Sequence, residues 1–151
     1  MPRDKSLYYY GRPFHLLIDP LLRPHRDTIV KLIPAASIVL DVGSGTGDLS
    51  LLLRRAKGCQ VVGVDLSLRM VSFAQRRNPY HEVAFLHRDA SEICDFEDRH
   101  FDYAVLCQVL HELPRGSQLN VLASRSAWQG RWFSLTTALP NHETRMVSSH
   151  V

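Results

Sequence analysis

"VLDVGSGTGDLS", Val39 to Ser50, decides how the rest of the chain is read. Glycines stand at positions 43, 45 and 47, directly behind an apolar run interrupted only by Asp41. The run is rich in β-branched residues and reads as a strand buried on both faces. Glycine takes positive φ and bares the backbone. A turn of this kind lets a ligand approach amide groups at the start of the next helix, where the dipole favours a carboxylate or phosphate. A plain strand-to-helix turn would also use glycines, and by itself the loop does not separate the two readings.

Outward from the loop, strands and helices alternate. "DLSLLLRRAKG" has helical spacing and stops at Gly58, a residue suited to a C-cap. "QVVGVD" is a second buried strand, and "SLRMVSFAQRRN" a second helix with Ser67 as N-cap and Asn78-Pro79 as its stop. "VAFLHRDA" and "FDYAVLCQVL" read as third and fourth strands, and "GRWFSLTTAL" as a candidate fifth. Ahead of the loop, "HRDTIVKLIP" places Ile29, Leu32 and Ile33 on one helical face before Pro34. The residues before it, from Met1 to Pro24, read as irregular and aromatic-rich. Parallel strands joined by right-handed crossovers follow, hence a doubly wound, mostly parallel α/β sheet. Residues 1–34 are a lead-in segment with one helix, and residues 35–151 the main domain.

Composition narrows the function classes. The chain has 151 residues, enough for one core, with 45% hydrophobic and 22% charged residues. A net charge of +3 is too mild and too scattered for a nucleic-acid binder. Three cysteines without a CxxC pair argue against a disulfide framework and for a reducing, cytoplasmic setting. The eight histidines include no HExxH arrangement, so no metal is expected. Asp19, Pro20 and Pro24 break the N-terminal apolar stretch, so no signal peptide is expected, and no run is long enough to span a membrane.

Carboxylates at strand ends carry the chemistry. Asp65 closes the second strand about twenty residues after the glycines, where it can accept hydrogen bonds from both hydroxyls of a ribose. Asp89 closes the third and can accept from an adenine amino group, or cap a helix beginning at Ala90. Asp41 is costly as a merely structural buried charge and suits a ligand's ammonium group, directly or through water.

With these residues in order, the chain resembles the class I S-adenosylmethionine-dependent methyltransferases across roughly residues 35 to 125. "VLDVGSGTG" matches the first motif, Asp65 the ribose-binding acid, "HRDA" the adenine-side motif and "FDYAVLCQVLHELP" the fourth strand. The ending "LHELP" is similar to the ubiquinone and menaquinone methyltransferase branch. The resemblance implies a Rossmann-like methyltransferase fold and S-adenosyl-L-methionine as cofactor. It implies that Asp41, Gly43 and Gly45 hold the methionine part, with Ser44, Thr46, Gly47 and Leu66 among the cofactor-binding residues. Asp65 would hold the ribose, Asp89 with Ala90 the adenine, and Gln108 would face the methionine or the methyl group. The partner would be a small-molecule methyl acceptor.

Methyl transfer from a sulfonium needs alignment and exclusion of water. If the acceptor carries an acidic proton, His111 after the fourth strand is the candidate base, or else a helix-start histidine partnered by Glu112. A nicotinamide-dependent oxidoreductase is the rival enzyme, but its fingerprint is GxGxxG where this loop has GxGxG. A cofactor-binding fragment without catalysis is the other alternative. The tail "SRSAWQGRWFSLTTALPNHETRMVSSHV" is polar and weakly patterned, so the sheet is expected to lack the family's last strands. Codons for Arg131–Thr137 can spell an apolar strand in another frame, consistent with a truncated or atypical region after about residue 124. An incomplete sheet edge would invite self-association.

Overall fold

The computed structural model describes residues 11–89 and 101–107 in full, and the backbone of 131–137 and 144–149. Two helices come first, α1 (Gly11–Leu17) and α2 (Asp19–Leu32). There follow β1 (Ile38–Val42), α3 (Asp48–Lys57), β2 (Gln60–Asp65), α4 (Leu68–Arg77), β3 (Val83–His87) and β4 (Tyr103–Cys107). The chain closes its sheet with β5 (Arg131–Thr137) and β6 (Thr144–Ser149).

The sheet order is β3-β2-β1-β4-β5-β6. Every pairing is parallel except that of β5 with β6. β1 lies between β2 and β4, with Asp41 level with Gly63 on one side and Val105 on the other. The winding therefore reverses at β1, and a crevice for ligands opens beyond its carboxyl end. In register, Val42 stands beside Val64, and Asp65 beside His87, so the glycine loop and the ends of β2 and β3 share one sheet edge.

Both faces of β1 are covered, as its unbroken apolar run requires. Val39 joins a core with Ile29, Ile33, Leu49, Leu53 and Phe85 beneath the helices. Leu40 and Val42 join Val64, Phe101, Ala104 and Leu106 on the other face. Alternation puts Asp41 on the helical side, against α3. The remaining caps follow the sequence: Ser67 accepts from the Met70 amide to start α4, and Gly58 ends α3 in the left-handed conformation.

Two expectations change. The segment expected to be irregular is helical from Gly11 onward. Pro20 sits at the start of α2, where a helix needs no amide hydrogen, and Pro24 is accommodated inside it. The tail also contributes more than expected. "GRWFSLTTAL" does form the fifth strand, and one further strand, β6, pairs antiparallel beyond it. The sheet thus extends two strands past β4, with β6 rather than β4 or β5 at that edge.

Candidate functional site

The glycine loop is a tight turn with its hydrogen bonds specified. Gly43 and Ser44 amides donate to the Val64 carbonyl at 2.8 and 2.9 Å, and the Gly47 amide donates to the Ser44 carbonyl at 2.8 Å. Three of the five loop residues have positive φ: Gly43 at 72°, Gly45 at 53° and Gly47 at 80°. The last two are glycines for different reasons. A Cβ on Gly47 would lie 2.5 Å from the Phe85 ring, so the helix start could not pack on β3. A Cβ on Gly45 would meet nothing within 4 Å, so this backbone faces open space.

Asp65 meets that loop directly. Its Oδ2 accepts from the Gly45 amide at 2.8 Å and its Oδ1 from the Ser67 amide at 2.8 Å. These two bonds orient the carboxylate against the loop. Leu66, next in the chain, is 67% exposed, an apolar surface of the kind a bound organic ring covers. Asp89 is half-buried two residues past the end of β3. The structure thus brings Asp41, the loop, Asp65, Leu66 and Asp89 to one edge of the sheet. Ala90, Gln108 and His111 lie outside the described residues.

Asp41 is 1% exposed and accepts from the Ser50 hydroxyl at 2.6 Å. Burial pushes its carboxyl up to about 6, while the Ser50 hydrogen bond and the Arg26 charge pull the other way. The Ser44 hydroxyl is buried without a partner among the described residues. A buried hydroxyl of this kind is open to a hydrogen bond with water or with a polar group of a ligand. These features fit a ligand with polar and apolar parts.

Sequence reading missed the charges beneath the loop. The hydroxyl of Thr46, a fully buried residue, donates to Asp19 Oδ2 at 2.6 Å. Arg26 pairs with Asp19 at 2.6 Å and Asp48 at 3.0 Å, and Arg77 pairs with Asp48 at 2.9 Å. The Asp19–Arg26 spacing of seven, two helical turns, was the available signal, but Asp19-Pro20 reads more readily as a break. His15, Asp19 and Asp48 bring three metal-ligand atoms within 4.8 Å of one another. Two guanidinium groups already hold those carboxylates, which opposes a cation. A cleft of about 650 Å³ opens beside this cluster, lined by residues such as Arg23 of α2, Arg55 of α3 and Tyr80 beyond α4, and by none of the glycine loop.

Comparison with known proteins places the arrangement. Residues 39–127, more than half of the chain, match the family described as "Methyltransferase domain". The demethylmenaquinone methyltransferase of Thermus thermophilus is 43% identical over 80 residues, 51% of this chain and 36% of that protein. That of Bacillus licheniformis is 34% identical over 94 residues, 59% of this chain and 40% of that protein. The chain thus matches well under half the length of these relatives. In fold, a TehB-like SAM-dependent methyltransferase from Corynebacterium glutamicum superposes with a TM-score of 0.67 at 22% identity, covering 82% of this chain and 71% of its own. A SAM-dependent methyltransferase from Thiobacillus denitrificans, in complex with S-adenosyl-L-homocysteine, gives 0.67 at 23% identity, covering 95% and 60%. The match over Val39 and the glycine loop through the fourth strand settles the family: this chain belongs to the methyltransferase domain family.

Proposed function

We propose that the chain binds S-adenosylmethionine at the edge formed by the glycine loop, Asp65 and Asp89, and transfers its methyl group to a small-molecule acceptor. The Gly45–Asp65 hydrogen bond is the observation that carries this reading. It sets a ribose-type carboxylate against backbone open enough for the amino-acid end of the same ligand. Ser44 offers a buried hydroxyl for a polar group there, and Asp41 a carboxylate for an ammonium group.

The cofactor, when bound, supplies an activated methyl carbon. The chain's residues then have the work of alignment. Asp65 fixes the ribose, and with it the distance from the adenosine end to the loop. Leu66 covers an apolar face of the ligand, and Asp89 with Ala90 receives the adenine. In this reading Gln108 would face the methionine or the methyl group, and His111 would act as base if the acceptor must lose a proton. Similarity to demethylmenaquinone methyltransferases favours an aromatic, quinone-like acceptor.

Isothermal titration with S-adenosylmethionine and S-adenosylhomocysteine tests the binding, and methyl transfer to a reduced naphthoquinone tests the activity. Saturable binding with turnover supports the whole reading. Binding without turnover would leave a cofactor-binding fragment. Stabilisation by NAD(H) in place of S-adenosylhomocysteine would favour the oxidoreductase.

A further inference from the structure

We infer that Asp19 and Arg26, on a helix outside the glycine loop, are positioning residues that hold that loop in its ligand-ready shape. The inference rests on the cofactor site proposed above. It concerns residues that neither the loop motif nor the strand-end carboxylates include.

A loop with glycines at alternate positions is costly to order, because glycine loses more conformational freedom than any other residue. Thr46 sits between two of them, Gly45 and Gly47, both at positive φ. Beyond the bonds of Gly43, Ser44 and Gly45 to β2, the loop is gripped at Thr46 from two helices. Its hydroxyl donates to Asp19 of α2 at 2.6 Å. Its carbonyl accepts from Arg77 of α4 at 3.4 Å. Asp19 and Thr46 are 2% and 0% exposed, so water does not compete for this contact.

Asp19 is itself fixed. Arg26 donates to its carboxylate at 2.6 Å and to its carbonyl at 3.4 Å, and His15 Nδ1 lies 2.8 Å from the other carboxylate oxygen. The second nitrogen of Arg26 reaches Asp48, the first residue of α3, at 3.0 Å. One guanidinium therefore ties the helix that grips Thr46 to the helix that the loop feeds. Loop and helix start are held as one body from below, while Gly45 faces open space. A loop already in its bound shape does not have to be ordered when the ligand arrives, and affinity gains by that amount. The Thr46 hydroxyl then acts through Asp19, not by touching the ligand.

Removing Asp19 or Arg26 outright would strand a buried charge and threaten folding. Thr46→Val avoids this, since Asp19 keeps Arg26 and His15. Hydrogen exchange of the ligand-free protein and titration with S-adenosylhomocysteine should be measured on wild type, Thr46→Val and Thr46→Ser. Thr46→Val should speed exchange at Gly45–Gly47 in the free protein and weaken binding about tenfold, and Thr46→Ser should restore both. Unchanged exchange in free Thr46→Val would overturn the clamp, because a hydroxyl that only touched the ligand would leave the free loop alone. Faster exchange with unchanged affinity would overturn the link to binding. If wild type does not bind S-adenosylhomocysteine, the cofactor reading fails, and the exchange measurement still decides the clamp.

Discussion

The Asp65 carboxylate accepts a hydrogen bond from the Gly45 amide at 2.8 Å, across twenty residues of sequence. One side chain therefore closes the turn after β1 and marks the end of β2. It couples the two halves of a site that would grip a ligand at both ends. Asp65→Ala should weaken S-adenosylhomocysteine binding by roughly 1.5–3 kcal/mol, the range for a hydrogen bond to a charged group. The fold should survive, because the residue ends a strand and is only half-buried. Unchanged affinity in a folded Asp65→Ala protein would remove the ribose assignment.

Gly45 and Gly47 should respond differently to the same small change. Gly47→Ala drives a methyl group into the Phe85 ring and must also hold a φ of 80°. Overpacking of that kind costs about 1–3 kcal/mol, so its urea midpoint should fall clearly. Gly45→Ala meets no neighbour and should lose only about 1–2 kcal/mol from its left-handed backbone. Gly45→Val places a larger, β-branched group in the same open space and should abolish ligand binding. Normal binding by Gly45→Val would mean that the glycines serve the turn alone.

Asp41 gives stability a pH dependence whose sign can be stated. Burial holds its carboxyl at about 6 in the folded chain, against 3.8 for the ordinary group. Between those values the native state keeps a proton that the unfolded chain has lost. Stability should therefore fall as pH rises through that window, by up to roughly 3 kcal/mol. Asp41→Asn removes this contribution and should flatten the profile of urea midpoints between pH 4.5 and 7.5. Parallel profiles for wild type and Asp41→Asn would show that Asp41 does not titrate in this range.

The first four strands were legible because each is an apolar run that the sheet buries. The alternation of Val39 and Leu40 into two cores is the physical form of that signal. Asp65 was legible by its distance from the glycines, and Ser67 and Gly58 by their cap chemistry. The N-terminal helices were not. Pro20 and Pro24 read as breaks, whereas Pro20 only occupies the first turn of α2, where its missing amide is harmless. The ion pairs of Asp48 with Arg26 and Arg77 join residues 22 and 29 apart, and no local pattern announces such contacts. Thr46 was included among the cofactor-binding loop residues by its place in the motif, and nothing local announced that its hydroxyl donates to Asp19. β6, "TRMVSS", is short and polar, which suits a strand at an edge and hides it from periodicity.

That edge yields the last prediction. β5 is paired on both sides, with Ala104 level with Trp132 and Cys107 with Leu135 in one ladder, and Ser134 with Val147 in the other. Among the described residues, β6 has a strand on one side only. Amides donating into two-sided ladders open only with the sheet, whereas an edge strand can detach by itself at smaller cost. Hydrogen exchange should therefore be slowest in Val39–Val42 and Val61–Val64, intermediate in Trp132–Leu135, and fastest of the three in Arg145–Ser148. S-adenosylhomocysteine should slow exchange further at Gly43–Gly47 and Asp65 while leaving Arg145–Ser148 unchanged. Exchange in Trp132–Leu135 as fast as in an unstructured peptide would show that the working sheet ends at β4. The polar tail would then be an addition to a four-stranded core, and the apolar edge of β4, with Ala104 and Leu106, would become the surface to test for self-association by sedimentation.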